Sequence, residues 1–541
     1  MRAAIAVAVV GLGLAAASMS AADAPGLIDS ARGLPAYNGR IIAVGNMPSA
    51  QGSPHTNFLA VADFNGDGRP DILATRSQWH SGTLYSPVVF VNDGHGGFAD
   101  ETSSIFSGAP PLTMDPRRVF VADFNRDGRP DVFIADQGPD LATGGYHDTL
   151  ILSVPGGKLV DATTNLPPFV DPSGYENSHG GAVGDVNGDG APDIFLGRIG
   201  GTRGNGILVN DGTGHFTREA DSIPDELRGG CSVILSSTFA DVNGDGMQDL
   251  IVGGGTNPCQ PVPTAVLLND GHGRFPTLTR LPQPPYQFDS PIDIQAGDLN
   301  GDGAPDLVLG YNKQSFTGLW LQILVNDGHG NFADETAQRL PPQDDNSFGG
   351  FYNWIRLVDL NGDGHLDIAT GLETGSDHTS PYFLSDGTGH FTALPQNLGF
   401  GPDDTYTLAD MGGYRGLDMV YGESTIAIAR AVNPKNRLYV TIGPGDRFSF
   451  VDESGRSVQT LRPGRYTLVV WDRSPSAAFH LHGPGVDYRF DDPTTVDFWD
   501  VVLSAKRTYR YTVTAPSLSG SFRVTPRRRR SRDTSATRPP R

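Results

Sequence analysis

Asp63-Phe64-Asn65-Gly66-Asp67-Gly68-Arg69-Pro70-Asp71 decides the reading of this chain. The pattern Asp-x-Asn-x-Asp-Gly-x-x-Asp returns from Asp123 to Asp131, Asp185 to Asp193, Asp241 to Asp249, Asp298 to Asp306 and Asp359 to Asp367. Side-chain oxygens at positions 1, 3 and 5 converge when such a stretch curls into a tight loop. Position 7 adds a backbone carbonyl, and the Asp at position 9 is expected to close the shell. An oxygen shell of this flexible kind suits calcium better than magnesium. The expected ligands are therefore Asp63, Asn65, Asp67, Arg69 and Asp71; Asp123, Asn125, Asp127, Arg129 and Asp131; Asp185, Asn187, Asp189, Ala191 and Asp193; Asp241, Asn243, Asp245, Met247 and Asp249; Asp298, Asn300, Asp302, Ala304 and Asp306; and Asp359, Asn361, Asp363, His365 and Asp367. Position 6 is always Gly, where a sharp turn excludes a Cβ.

The loop opens like an EF-hand and ends differently. An EF-hand closes with Glu at position 12 and enters a helix, whereas position 12 of the first loop is Ala74. The runs after position 9, such as Val132-Phe133-Ile134 and Leu250-Ile251-Val252, are short, apolar and β-branched. They predict strands, which makes each loop a hairpin turn. Repeats spaced 56 to 62 residues apart point to a repeat architecture. A second turn recurs within them, as Asn92-Asp-Gly-His-Gly-Gly-Phe98, at Asn210, Asn269 and Asn326, and as Ser385 to Phe391. Each unit thus predicts four antiparallel strands, and radial repetition of such units makes a propeller. A seventh unit, Asp410 to Asp418, keeps its outer Asp pair but has lost the inner ligands. Its fourth strand is expected from residues 38–46, closing the ring and removing exposed edges.

Gly184-Asp-Val-Asn-Gly-Asp-Gly-Ala-Pro-Asp-Ile-Phe-Leu-Gly197 resembles the FG-GAP and VCBS repeats found in integrin α subunits and many exported bacterial proteins. That resemblance, over about residues 40 to 432, implies a seven-bladed calcium-binding β-propeller used in recognition or adhesion. Within it, the calcium and Asn-Asp-Gly hairpins share one face. The irregular loops on the other face carry Trp79, Tyr85, Tyr146, Trp320, Tyr352 and Trp354 as candidate ligand contacts. The histidines at 95, 215, 272, 329 and 390 read as turn residues.

The domain boundaries expected are a signal peptide at 1–22, a propeller at 38–432, a β-sandwich at 436–525 and a disordered basic tail at 526–541. Arg2, the apolar run Ala3 to Ala17 and the small residues after it carry the first of these. No later apolar run is long enough to span a bilayer, so no transmembrane span is expected after cleavage. Secretion, or display in a periplasm or at a cell surface, follows. An oxidising compartment makes a disulfide the expected use of Cys231 and Cys259. The sandwich resembles plastocyanin-like cupredoxin modules through Ile442-Gly-Pro-Gly and Phe479-His-Leu-His-Gly-Pro-Gly485. His480 matches one copper ligand, but Val513, Ala515 and Leu518 stand where Cys, His and Met belong. No copper is therefore expected.

The chain has 541 residues, 40 basic and 61 acidic, for a formal charge of −21. Eighteen acids lie in the six loops. Such a balance argues against a nucleic-acid partner. The expectation is an exported, all-β recognition module for a protein or glycan, with structural calcium. The alternative is a polysaccharide lyase or hydrolase sited on the variable face, although no linear catalytic motif stands out.

Overall fold

A computed structural model describes residues 41–47, 55–78, 82–94, 97–138, 146–168, 177–199, 205–228, 232–255, 262–285, 290–313, 317–343, 350–360, 365–374, 382–393, 406–409, 411, 418–422, 425–429, 437–442, 448–452, 456–472, 478–490, 496–514 and 517–526. The chain divides into two compact units, Ile41–Ala431 and the remainder. Trp79, Asn361, Asp363, Cys231 and Cys259 lie outside the described residues, as do the expected signal peptide, Asp410, Ala515 and the tail from 527 onward. No helix among the described residues is long and apolar enough to cross a membrane.

The first unit is all-β. Its described residues form seven sheets of four antiparallel strands. The first sheet shows the plan: His55–Ala62, Asp71–Ser77, Val88–Asn92 and Phe98–Asp100 pair in chain order. Five further sheets repeat it, with first strands Pro116–Ala122, Ser178–Gly184, Ile234–Ala240, Ser290–Gly297 and Gly350–Val358. In all six, the second strand starts at the ninth loop residue: Asp71, Asp131, Asp193, Asp249, Asp306 or Asp367. These second strands are the apolar runs read from the sequence. Most of their side chains are fully buried, because each sheet is covered on both faces by its neighbours.

Consecutive first strands touch in series from His55–Ala62 to Gly350–Val358, and His55–Ala62 also meets Tyr406–Ala409 of the seventh sheet. Separate apolar cores lie between adjacent sheets. Phe64, Leu73, Val132 and Ile151 join the first to the second, and Phe195, Ile207, Leu250 and Phe275 join the third to the fourth. The arrangement is propeller-like. The seventh sheet holds Tyr406–Ala409, Asp418–Tyr421 and Thr425–Ala429, and its outer strand is Ile41–Asn46. Val44 and Met47 pack there with Phe90, Ile426 and Ile428. At Gly45 a Cβ would stand 2.5 Å from the Phe90 ring, so the close approach requires glycine.

The second unit has a four-stranded and a five-stranded sheet around one core. Arg437–Ile442 runs parallel to Gly464–Asp472 in the first. Phe479–Gly483 and Thr508–Val513 pair antiparallel in the second. Leu438, Phe450, Leu468, Phe479, Tyr509 and Phe522 fill the space between. Val513 belongs to this core and Leu518 packs against it, while His480 Nε2 lies 2.6 Å from Asp487 Oδ1.

Candidate functional site

Five Asp-rich loops are described in full, and they are built alike. In the first, Asp63 accepts hydrogen bonds from the N–H groups of Asp67 (3.0 Å) and Gly68 (2.7 Å). Asn65 Oδ1 accepts from Asp67 N–H at 2.9 Å, and Asp67 Oδ1 accepts from Arg69 N–H at 3.0 Å. The fourth loop repeats the set, with Asp241 accepting from Gly246 N–H (2.8 Å), Asn243 from Asp245 N–H (3.0 Å) and Asp245 from Met247 N–H (2.8 Å). Three side chains of this kind turned into one small cradle gather carboxylate and amide oxygens. Positive φ at Gly68, Gly128, Gly190, Gly246 and Gly303 permits the turn. The donor set at positions 1, 3 and 5, with the position 7 carbonyl, has the chemistry of a hard-cation shell. Arg69 and Arg129 at position 7 also pair with the carboxylates of Asp67 and Asp127, at 2.5 and 3.3 Å. Among the described residues, no three His, Cys, Asp or Glu side chains form a metal-ligating group.

Position 9 has a second job that the sequence reading did not identify. Asp71 is fully buried, and its Oδ2 accepts from Phe64 N–H at 3.1 Å while Oδ1 accepts from Asn92 N–H at 2.9 Å. Asp131, Asp193, Asp249, Asp306 and Asp367 do the same with the N–H of loop position 2 and of Ser153, Asn210, Asn269, Asn326 and Ser385. Each carboxylate thus ties its own hairpin to the next turn of the same sheet. Burial pushes the carboxyls of Asp71, Asp131, Asp193, Asp249 and Asp306 up to about 6 against the lowering pull of these N–H groups. The seventh unit separates the two jobs. Although the inner loop oxygens are gone from its sequence, Asp418 is fully buried and accepts from Met411 N–H at 3.2 Å.

The Asn of the second turn is the other unforeseen part. Asn210 Nδ2 donates 2.8 Å to Phe124 O of the preceding repeat; Asn269 to Val186 O and Asn326 to Val242 O repeat the bond at 2.8 Å. These carboxamides stitch sheet to sheet. His215, His272, His329 and His390 are exposed turn residues.

The aromatic side chains expected on the opposite edge divide. Tyr85, Tyr352 and Trp354 are 4%, 3% and 4% exposed, which corrects their placement on an open ligand surface. Tyr85 donates to Gln78 Oε1 at 3.1 Å, and Arg76 stacks over its ring. Tyr352 belongs to the core between the fifth and sixth sheets. Trp354 packs over Gly371, where a Cβ would meet its ring at 2.3 Å. Trp320 is partly buried against the core between the fourth and fifth sheets. Large rings inserted between sheets gain more from burial than from exposure. Tyr146 remains half-buried, its ring 4.1 Å from that of His147.

Two cavities merit description. Along the inner strands, a space of about 300 Å³ is bordered by residues of six sheets, among them Arg118, Asp293 and Arg356. Arg118 donates to Ile292 O at 2.8 Å and stands 3.7 Å from Asp293, which also pairs with Arg356 at 3.3 Å. These charges latch the second, fifth and sixth sheets together. A larger cleft of about 600 Å³ lies at the edge away from the Asp-rich loops, between the second and third sheets. His147, Asp148, Thr163, Pro167, Arg198 and Arg218 border it. Neither set forms a contiguous motif, so neither announces itself in the sequence.

Comparison with known proteins matches four stretches of the sequence to one repeat model. The FG-GAP-like repeat model matches residues 63–134, 185–252, 241–309 and 298–370, so the chain carries FG-GAP-like repeats. Cartilage acidic protein 1 of Xenopus tropicalis is 26% identical over 329 residues, covering 57% of this chain and 47% of that protein. The Mus musculus protein of the same name is 25% identical over 349 residues, covering 62% and 50%. The chain spans about half the length of the curated relatives it matches. Among solved structures, a rhamnogalacturonan lyase aligns with a TM-score of 0.38 at 14% identity, covering 72% of this chain and 76% of that one. The extracellular domain of a putative one-component system from B. thetaiotaomicron aligns with a TM-score of 0.38 at 9% identity, covering 91% and 58%.

Proposed function

We propose that this chain is an exported, seven-bladed calcium-binding propeller whose role is recognition of a glycan or protein, with the calcium ions structural. The observation that carries this reading is the repetition of one cradle. In all five fully described loops the position 1 and position 3 oxygens and the position 5 carboxylate converge through the same backbone bonds, on the edge away from the large cleft. A cradle repeated from blade to blade suits scaffolding better than a single reaction centre. The sixth loop, through Asp359 and His365, is assigned the same role by its sequence. Calcium in these loops would neutralise clustered carboxylates and fix the hairpins, so binding free energy becomes folding free energy. Ligand contact is assigned to the opposite edge, where the sequence varies and a cleft is present. The small second unit is assigned no redox role, since Val513 and Leu518 offer no copper donor.

The test is a binding screen of the full chain against glycans and envelope polymers, in calcium and in chelator, with product analysis of every hit. Calcium-dependent retention without product is expected. Product formation would overturn the recognition role in favour of a polysaccharide-active enzyme. Absence of calcium in the purified protein by elemental analysis, together with an unchanged melting curve in chelator, would overturn the structural role of the ion.

A further inference from the structure

We propose that the cavity along the inner strands of the first unit binds one carboxylate, the anionic group of a small organic acid, between Arg118 and Arg356. The inference goes beyond the recognition reading, because this site lies among the inner strands and not at the loop edge assigned to a glycan or protein.

Charge is the first argument. Among the described residues that border the cavity, three carry a formal charge: Arg118, Asp293 and Arg356. Asp293 is buried, and its oxygens are already shared among several donors. Oδ1 accepts from Ile294 N–H at 3.1 Å, and Oδ2 accepts from Ile355 N–H at 2.8 Å and from Arg356 Nη1 at 3.3 Å. Arg118 Nη2 stands 3.7 Å from Asp293 Oδ1, beyond hydrogen-bond length. One carboxylate thus faces two guanidinium groups, and a surplus of one positive charge borders the space. A monoanion balances that surplus, whereas a dianion would exceed it. Burial holds the Arg118 guanidinium below its ordinary range, with Asp293 opposing and Arg356 adding to the effect. A buried cation whose counter-charge is incomplete gains from an added anion.

Free donors are the second. Arg118 donates from Nη1 to Arg117 O at 3.3 Å and from Nη2 to Ile292 O at 2.8 Å, both neutral carbonyls. Among the described residues its Nε–H makes no hydrogen bond. Arg356 donates only from Nη1, to Asp293 and to Ile355 O at 2.7 Å, and among the described residues its Nε and Nη2 make no hydrogen bond. Its guanidinium carbon lies over the Trp354 ring, 5.2 Å from the centroid. Stacking of this kind positions the guanidinium and leaves its N–H edge available to a planar carboxylate. Groups held in this way before the ligand arrives limit the ordering cost of binding.

Size and lining select the class of ligand. A volume of about 300 Å³ is at the lower end of small-ligand cavities and suits a small acid rather than a length of polymer. Phe58, Phe120 and Phe239, from the first, second and fourth sheets, border the same space. Apolar residues of this kind favour a ligand with an apolar body behind its charge. They disfavour sulfate or phosphate, which would give up hydration on every side for two arginine residues.

The experiment is titration calorimetry of the full chain in calcium with benzoate, its neutral counterpart benzamide, and sulfate. Benzoate should bind, and benzamide and sulfate should each bind weaker by about tenfold or more. Arg356→Gln is the main variant, because that side chain is 43% exposed against 13% for Arg118. It leaves Arg118 and Asp293 as a balanced pair, so benzoate affinity should fall by about tenfold or more, while the melting temperature without ligand changes little. Arg356→Lys keeps the charge without the fork and should retain part of the affinity. Equal binding of benzoate and benzamide overturns the proposal, as does an Arg356→Gln variant with full affinity. Sulfate binding tighter than benzoate overturns the carboxylate in favour of an inorganic oxyanion. Failure of wild type to bind benzoate overturns the site itself. The recognition reading is tested separately by the glycan and polymer screen, and none of these outcomes decides it.

Discussion

At the scale of single residues, the Asp at position 9 and the Asp at position 5 look alike in sequence and differ in physics. Asp249 is fully buried between two backbone N–H groups, whereas Asp245 sits on an exposed turn. Asp249→Ala should therefore lower stability by about 2–4 kcal/mol even in chelator, because it strands two buried donors, and by more in calcium if Asp249 also closes the ion's shell. Asp245→Ala should lower stability in calcium and change little in chelator; paired denaturant titrations check both. A second residue titrates in a useful window. His179 lies on the strand Ser178–Gly184, its Nδ1–H donating to Leu235 O at 3.0 Å. Burial, then the charges of Arg117 and Arg118, push its pKa down to about 3. The unfolded imidazole takes up a proton near its ordinary value of about 6.5, while the folded one remains neutral until about pH 3. The unfolded state thus binds more protons between those values, and stability contributed by neutral His179 is lost as pH falls below about 6.5. His179→Asn keeps a donor for Leu235 O without the titration. Its melting temperature should gain on wild type as pH drops from 7 to 5, and a constant difference would refute this account.

At the scale of elements, the strands and Asp-rich turns were legible because each obeys a local rule. Apolar runs such as Leu250-Ile251-Val252 became buried second strands, and Gly246 took the positive φ that its turn demands. What joins one element to another was not legible. Asn269 reads as a turn residue, yet its carboxamide bonds Val186 O, 83 positions earlier. Tyr85, Tyr352 and Trp354 read as exposed loop residues in the sequence, yet all three are buried, the last two within the strand Gly350–Val358. The cleft residues His147, Arg198 and Arg218 come from three separate stretches and carry no mutual spacing. Asn269→Ala should expose the importance of such stitches. It removes donors to Val186 O and Gln248 O and the acceptor for Gly271 N–H, so a loss of about 1–3 kcal/mol is expected by chemical denaturation. Asn269→Asp keeps the acceptor, loses the donor and adds charge beside carbonyl oxygens, and it should be no better.

At the scale of the whole molecule, closure and charge act on the same unit. Ile41–Asn46 pairs antiparallel with Thr425–Ala429, joining residues more than 370 positions apart. Removing residues 1–47 would uncover that edge and the core around Ile426 and Ile428. The truncated chain should melt at lower temperature and self-associate, as light scattering after size exclusion would reveal. Calcium modulates the same stability. Under the proposed occupancy, six divalent ions, each adding two charges, take the formal charge from −21 to −9. Without them, carboxylates held close in every loop repel one another and the compact state suffers. The chelated protein should melt lower than the calcium form, and the gap should narrow as added salt screens the exposed loop charges over about 10 Å at 0.1 M. The truncation and the chelator should not simply add. A chain without its closing strand already fails cooperatively, so chelation should shift its melting less than it shifts wild type. Equal shifts would mean that the loops stabilise individual sheets rather than the closed unit, and would place the role of the ion at the scale of the element.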